Sequence, residues 1–232
     1  MRFFNAFLLV AFFVATAFAQ DQDYVGRYAV FAGTSHMVTP DVRLYSHGFN
    51  LDSGVNVKRW LSLGVDYSRF DGVGSLHLSD LDKNLQAGLK PYLAQMPGYV
   101  LDVPVDARTY TLSAGPQFNY RHFRRVTLFG RPGFGMIHEV VTGKPHAGDT
   151  FAQQAAIGVV GPSLTKADLI HFVGVGGGAT WKFSQHWGVR TSVDYVHCFL
   201  YKGVLSRPRN TVRMSLGPAF TFGPNVKDSN VY

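Results

Sequence analysis

The stretch from Tyr110 to Arg121 constrains the fold of this chain more than any other. It reads YTLSAGPQFNYR, so mostly apolar side chains alternate one by one with polar or small ones. This period of two is typical of a β-strand, because successive side chains of a strand point to opposite faces. Strands in soluble proteins usually have about 5 or 6 residues, whereas a tilted strand that crosses a bilayer needs about 9 to 11. The length of the alternation therefore favours a strand that crosses a membrane.

The same alternation recurs along the chain and predicts eight strands. They cover about 27–35, 44–57, 61–68, 110–121, 126–138, 170–183, 187–199 and 211–222. Short turns follow the second, fourth and sixth strands, whereas the connections 71–106 and 141–167 are long. Small outer-membrane barrels have this asymmetry. The predicted fold class is all-β: an eight-stranded antiparallel up-and-down transmembrane β-barrel with short periplasmic turns and long external loops.

Two local features refine this prediction. In the first long connection, Ser79 is the expected N-cap of a short helix that stops before Pro91. Three prolines, Pro116, Pro132 and Pro218, lie within predicted strands, where a proline removes a hydrogen-bond donor. We expect these prolines to mark β-bulges near the rims of the barrel.

The N-terminus predicts export. It reads MRFFNAFLLVAFFVATAFAQ, with one early positive charge, an apolar run and a final Ala-Phe-Ala. This pattern predicts a cleaved signal peptide over 1–19. An uncleaved membrane helix is disfavoured, because no stop-transfer charges follow the apolar run. We expect an outer-membrane β-barrel domain at 20–223, a C-terminal tail at 224–232 and a location in the bacterial outer membrane.

The composition agrees with a membrane barrel and argues against nucleic acid as a partner. Only 16% of the residues are charged, while 14% are aromatic and 25 are glycine. The formal net charge is +7. In an exported protein such a charge suits acidic lipid head groups or polyanionic surface glycans. A single cysteine, Cys198, excludes an internal disulfide.

The alternation alone does not say which row faces the lumen, because a soluble barrel has the same period with its apolar row inside. The polar row consists mainly of Gly, Ser, Thr and Asn with a few charges of both signs, which suits a narrow interior. The apolar row is too bulky to share one small lumen. We therefore expect an interior plug of salt bridges, since charges in such a place must be paired. Its members are Asp52, Asp66, Arg131, Arg190, Asp194 and Arg213.

Aromatic residues flank the short turns, where an interfacial girdle of a membrane barrel is expected. The three tryptophans all belong to this set, which supports the orientation with apolar side chains facing lipid. The predicted girdle is Trp60, Phe118, Tyr120, Trp181, Phe183, Trp187 and Phe222.

Several motifs resemble a known family. They are NLxSGVNVxRWLSLGVDYS at 50–68, GPxFxYR at 115–121, GGG at 176–178 and RxSxGPxFxFG at 213–223. Together they resemble the eight-stranded OmpA-like outer-membrane barrels, over the strands between about 27 and 223 but not the long loops. The resemblance implies the fold and says little about activity. The peptidoglycan-binding domain of the family's best-known member has no counterpart here, and a tail follows the last strand.

No motif predicts a catalytic, cofactor-binding or metal-binding residue. The run GVGGGA at 174–179 fits a dinucleotide fingerprint, but the residues after it read as strand and turn instead of the required helix. The nine histidines are scattered without metal-ligand spacing. His36 adjoins Ser35 and His47 adjoins Ser46, but neighbours on a strand point to opposite faces. Neither pair therefore predicts a nucleophile with its base.

The expected function is non-enzymatic: a structural, adhesion or surface-interaction role of a barrel whose long loops contact other molecules. The expected partners are outer-membrane lipids and lipopolysaccharide, with surface glycans or proteins bound through the loops, and the protein is expected to be a monomer. Two alternatives stay open. One is an enzyme that acylates or deacylates lipid A, and the other is a narrow pore, which is disfavoured because side chains can fill an eight-stranded interior.

Overall fold

A computed structural model describes residues 24–227 of the chain. The strands are β1 (Gly26–Thr39), β2 (Leu44–Lys58), β3 (Leu61–His77), β4 (Asp102–Tyr120), β5 (Val126–Gly143), β6 (Thr165–Lys182), β7 (Trp187–Cys198) and β8 (Arg209–Asn225). The long connections contain the helices α1 (Lys83–Leu93) and α2 (Thr150–Val160). Within the described part of the chain, neither helix has the length and apolar composition needed to cross a membrane. The predicted signal peptide 1–19 and residues 228–232 of the predicted tail lie outside it.

The strands form one closed barrel. Each strand pairs antiparallel with its neighbours in the chain, and β1 pairs with β8. Short turns join β2 to β3, β4 to β5 and β6 to β7, and we call this end of the barrel the turn end. The opposite end, which carries α1 and α2, is the loop end. The predicted eight-stranded antiparallel up-and-down barrel is confirmed.

From the turn end to the middle of the barrel, apolar side chains point outward and polar ones point inward, except for the inward Phe31 and Phe129. On β7, for example, Val189, Val193 and Tyr195 are exposed, whereas Arg190 and Ser192 are buried. Since a strand alternates its side chains between two faces, this division follows directly from the sequence. The narrow lumen therefore receives the polar row.

Toward the loop end the apolar residues change face. On β3, Val65 and Tyr67 are exposed on the outside, but Phe70 is completely buried inside and its neighbour Arg69 lies on the outside. The pairing of β3 with β4 continues through this region without a shift of register. The backbone alternation thus persists while the apolar row moves from the outer face to the inner face.

This change of face explains why several strands are longer than the sequence predicts. A strand predicted from alternation ends where the apolar residues switch from one face to the other. The hydrogen-bonded pairing of the strands continues beyond that point. The predicted connection 71–106 is too long, because β3 runs to His77 and β4 starts at Asp102. The predicted connection 141–167 is also too long, because β5 reaches Gly143 and β6 starts at Thr165.

Two further local predictions are wrong. The helix in the first connection has Asp82, not Ser79, as its N-cap: the Asp82 carboxylate accepts a hydrogen bond of 2.9 Å from the Asn84 N–H. Pro91 lies inside the helix, in its last turn, where few backbone bonds remain to be lost.

The prolines of the strands do not cause bulges. No register shift occurs at Pro116, Pro132 or Pro218; the shifts in the ladders lie instead near Gly26 and Asn56. Pairs between β4 and β5 stop after Ala114–Phe134 and resume at Phe118–Gly130 in the same register, so Pro116 and Pro132 face each other across this gap. The missing donors interrupt the ladder without displacing it.

Close approach of β2 to β3 requires a glycine at position 48. A Cβ on Gly48 would lie 1.8 Å from the backbone oxygen of Arg69, which the ladder holds in place. We expect Gly48→Ala to destabilise the barrel by about 1–3 kcal/mol or more, because backbone and not a flexible side chain must move. The measurement is the urea midpoint of tryptophan fluorescence for the protein refolded in detergent micelles.

Gly88→Ala is the matched control for this prediction. Gly88 lies in α1, and no atom lies within 4 Å of the Cβ that alanine would add. Alanine there should be neutral or stabilising by up to about 1 kcal/mol. Equal urea midpoints for the two variants would show that the tight contact at Gly48 is unimportant.

Candidate functional site

The centre of the lumen contains six charged side chains, which we call the ionic plug. Inward positions on five strands supply them, so the polar row of the sequence determines where they point. The structure brings together all six residues that the sequence suggested for this place: Asp52, Asp66, Arg131, Arg190, Asp194 and Arg213.

Arg131 joins three carboxylates. Its Nε and one terminal amino group donate to the two oxygens of Asp194, both at 2.9 Å. Its other terminal amino group donates to Asp52 at 2.6 Å. The amino group that contacts Asp194 also lies 3.4 Å from Asp66. Such bidentate contacts between guanidinium and carboxylate are among the strongest hydrogen bonds in proteins.

Arg213 binds two of the same three carboxylates. It donates to Asp66 at 2.7 Å, to Asp194 at 2.9 Å and to the Ser68 hydroxyl at 2.6 Å. The plug thus contains three guanidinium groups and three carboxylates, and its formal charges cancel. Balanced charge and many hydrogen bonds are the conditions under which ions are tolerated away from water.

Arg190 lies at the edge of the plug that faces the turn end. Its guanidinium lies 3.5 Å from Asp52 and donates to the Gln117 side chain at 2.6 Å. It also lies over the rings of Phe129 and Phe31, at 4.0 and 5.6 Å from their centroids. The rings of these inward aromatics supply a cation–π contact in addition to the ion pair.

Little space remains around the plug. The cavity beside it has a volume of ≈ 50 Å³, which is room for only a few water molecules. Gly176 of the GVGGGA run lines this cavity, and a Cβ there would lie 1.8 Å from an Asp194 oxygen. The glycine run therefore lies in β6, where it makes room for the plug.

A second buried ion pair lies nearer the loop end, and the sequence prediction missed it. Glu139 is completely buried and Arg209 is 3% exposed, and Arg209 donates to Glu139. The Thr109 hydroxyl donates to the other Glu139 oxygen at 2.8 Å. The alternation of the strands could have predicted this pair. Glu139 is an even number of residues from Arg131 and so lies on the same face of β5. Arg209 is related to Arg213 on β8 in the same way. The predicted strands ended one or two residues short of both.

Toward the turn end, the lumen is closed by amide and hydroxyl side chains and by Arg121. Asn119 donates to Ser62 at 2.6 Å, and Ser62 donates to Asn56 at 2.7 Å. Arg121, which follows β4, donates to the Asn56 side chain at 3.2 Å and to the backbone oxygen of Arg59 at 2.7 Å. Burial and repulsion from Arg59 lower the pKa of Arg121 to about 10, so it stays charged at neutral pH.

The loop end is covered by a packed apolar cap. Two helices and the β7–β8 connection bury their apolar side chains against the inner face of the strands. Cys198 is 1% exposed in this core and acts as a small packed residue. The other buried members are Leu81, Leu101, Val103, Ile137, Ala152, Ala155, Ala156, Phe172, Val196, Leu200, Tyr201 and Val204.

One hydrogen bond joins the two long connections of the cap. The Tyr99 hydroxyl donates to Asp149 at 2.6 Å, and the other Asp149 oxygen accepts the Ala152 N–H at 2.8 Å as the N-cap of α2. The bond from Tyr99 lowers the pKa of Asp149, while burial and the adjacent carboxylate raise the pKa of Tyr99 to about 12. The neutral phenol and the ionised carboxylate are therefore the forms that the cap favours.

The predicted girdle residues are exposed around the turn end. The Trp60 and Phe118 rings stack at 6.2 Å, and the Trp187 ring lies 4.7 Å from Phe220, whose ring is 5.7 Å from Phe222. All seven predicted members are between 38% and 56% exposed: Trp60, Phe118, Tyr120, Trp181, Phe183, Trp187 and Phe222.

The serine–histidine neighbours separate as strand geometry requires. Ser35 and Ser46 are buried inside, where Ser35 shares a 2.8 Å hydrogen bond with the Ser215 hydroxyl, while His36 and His47 lie on the exposed outer row. Among residues 24–227, no group of three or more His, Cys, Asp or Glu side chains is arranged to hold a metal ion.

Removing one plug cation should be strongly destabilising. Arg213→Met removes one of the two arginines that Asp66 and Asp194 share, and breaking a buried pair in this way costs about 3–5 kcal/mol. Urea unfolding of the protein in micelles measures the loss. Lys90→Met, on an exposed position of α1, is the control and should change stability by less than about 0.5 kcal/mol. A loss for Arg213→Met no larger than that of the control would contradict the role given to the plug.

The Tyr99–Asp149 bond predicts a pH window for the cap. The lowered pKa of Asp149 gives stability that is present above the unfolded value of about 3.9 and is lost as the pH falls through the folded value. The raised pKa of Tyr99 gives stability that is present below about pH 10 and is lost as the pH rises toward about 12. Tyr99→Phe should therefore speed amide hydrogen exchange in α2 at pH 7, relative to the parent at the same pH. As the pH falls through the lowered pKa of Asp149 and its carboxyl becomes protonated, the difference should shrink. Equal exchange of the two proteins at pH 7 would rule the bond out as a constraint on the cap.

Comparisons with known proteins agree with the architecture. No protein-family model matches the sequence, and a search of curated proteins gave no match. Among solved structures, Neisserial surface protein A matches with a TM-score of 0.54 and 12% identity, over 84% of this chain and 97% of that one. The outer membrane protein OprG from Pseudomonas aeruginosa matches with a TM-score of 0.54 and 9% identity, over 88% of this chain and 100% of that one. The chain therefore has the fold of the eight-stranded outer-membrane β-barrel proteins, which is the fold that its resemblance to the OmpA-like family implies.

Proposed function

We propose that this protein is a non-enzymatic barrel of the bacterial outer membrane that presents its packed cap at the cell surface as a contact surface. The observation that carries the proposal is the filling of the lumen: the ionic plug, the Glu139–Arg209 pair and the apolar cap lie one above another. A barrel closed at several levels holds its loops rigidly and leaves no wide path for solutes.

The outer surface supports membrane insertion. Leu63, Leu112, Phe134 and Val175 are each more than half exposed on the outer row, along with many other apolar side chains. Contiguous apolar patches larger than a few hundred Å² are rare on soluble monomers, so a bilayer is the suitable surrounding. The turn end would face the periplasm and the loop end the exterior, as in other small barrels.

The geometry gives little support to either alternative. An acyl-transfer enzyme of the serine type needs a nucleophile next to its base, but Ser35 and Ser46 lie inside while their neighbours His36 and His47 lie outside. A pore needs a connected water path, but the cavity at the plug has a volume of only ≈ 50 Å³. The cap, by contrast, exposes Tyr92 by 61% and Val100 by 72%, as a contact surface requires.

Expression of the full chain in a Gram-negative host tests this proposal. The protein should fractionate with the outer membrane, begin at Gln20 after cleavage of residues 1–19, and migrate faster on gels when unboiled. The lipid A of these cells should have the same acyl number, by mass spectrometry, as that of cells with an empty vector. A changed acyl number would replace the proposed function with the enzymatic alternative.

Planar-bilayer recording of the refolded protein tests the pore alternative separately. No steady conductance is expected, because guanidinium groups and carboxylates occupy the axis of the lumen. The boiled protein serves as the control for leakage caused by detergent. A steady, reproducible conductance from the native form alone would favour a narrow pore.

A further inference from the structure

The outward-facing charges of the strands lie on one side of the barrel. Away from the strand ends, and within the described part of the chain, they are confined to β3 and β4: Arg69, Asp71, Asp106 and Arg108. The ladder places Asp71 directly between His47 on β2 and Arg108 on β4. Charges facing hydrocarbon are destabilising, so this group requires a polar surrounding at its depth.

The height of the group matches the far edge of a membrane. At about 3.3 Å per residue and a tilt of about 40°, the run from Leu61 to Asp71 rises by about 25 Å, the usual height of the apolar band of a barrel. At the same level, the side chain of Phe70 on β3 points into the barrel and is completely buried. This side of the barrel therefore reaches the outer head-group layer at Arg69 and Arg108.

The side chains here form an ordered cluster, which we call the rim patch. The Arg108 Nε donates to Asp71 at 2.8 Å, and an Arg69 terminal amino group lies 3.5 Å from the same carboxylate. Arg69 also lies 5.8 Å from the centroid of the Tyr110 ring, which stacks on His138 at 6.1 Å. The patch comprises Arg69, Asp71, Asp106, Arg108, Tyr110, His138 and Lys144.

The rim patch borders a surface groove with unused hydrogen-bonding capacity. The groove has a volume of ≈ 630 Å³, and Arg108, Tyr110, His138 and Lys144 line it. A guanidinium has five N–H donors, and the contact of Arg108 with Asp71 uses only Nε.

We propose that the rim patch binds the phosphorylated sugar head group of an outer-leaflet glycolipid of the lipid A type. This inference rests on the proposed membrane location. Guanidinium groups match phosphate geometry with two parallel donors, and Asp71 holds both arginines in position for this contact. The carboxylates of Asp71 and Asp106 only accept hydrogen bonds, so they suit sugar hydroxyls, which a simple phosphodiester lacks.

Native mass spectrometry of the refolded full barrel in micelles tests the proposal, with bis-phosphorylated lipid A as the probe. The double variant Arg69→Gln/Arg108→Gln should bind it at least about tenfold more weakly, because it loses charge-assisted hydrogen bonds. Lys144→Gln removes a cation that is already paired with Asp106 and should weaken binding by a smaller factor. Lys90→Gln on α1 is the matched control and should bind as the parent does.

The outcomes separate this inference from the proposed function. Each variant must first show the fast unboiled migration of a folded barrel; a parent that does not insert into bilayers contradicts the proposed function itself. If the parent inserts but binds dephosphorylated lipid A as tightly as the phosphorylated form, the rim patch is no phosphate site. Equally tight binding of phosphatidic acid, which has a phosphate but no sugar hydroxyls, would overturn the assignment to a glycolipid.

Discussion

Charge compensation inside a narrow lumen is the constraint on which the rest of this structure depends. Taking an ion out of water is so unfavourable that the guanidinium groups at the centre of the lumen need carboxylates close to them. Arg131 and Arg213 meet this need by sharing Asp194, which ties β5, β7 and β8 to one point on the axis. The strands must then pair in the one register that brings these residues to the same height. The small side chains and glycines of the inner row follow from the space that the ions occupy.

The barrel has two different interiors, one above the other. In the lower part ions and amides fill the lumen while apolar side chains cover the outside. In the upper part Phe70, Ile137 and Phe172 fill the inside, while Arg69 and Arg108 lie outside. The lower part resembles a membrane barrel and the upper part a soluble protein with an apolar core. Burial of apolar side chains away from water therefore stabilises the cap. It does not stabilise the lower part in the same way, because the lumen there is filled mainly by polar groups.

The sequence alone predicts the fold class and the inward direction of the six plug residues. Both predictions depend only on parity, that is, on whether a residue is an odd or an even number of positions along its strand. Parity does not depend on burial, so the sequence is enough to assign Asp52 and Arg213 to the inner row. The Glu139–Arg209 pair has the same parity and was missed only because the strands were ended too early. The helix of the first long connection was predicted with the wrong ends, and the helix of the second was not predicted, since Asp82 and Asp149 begin them by local contacts that many polar residues could make.

Several predicted strands are shorter than the observed ones for a physical reason. A search for alternation assumes that one row stays apolar along a strand, which holds only while the surroundings of each face stay the same. On β4 the apolar row is odd-numbered at Val103 and Val105 and even-numbered at Tyr110 and Leu112, yet the ladder to β3 has no shift. When the apolar row changes face and no bulge is present, the cause is therefore a change in the surroundings of the two faces of the strand. In the proposed membrane location, the loss of phase marks the level at which a strand would leave the lipid, and the strand continues beyond it.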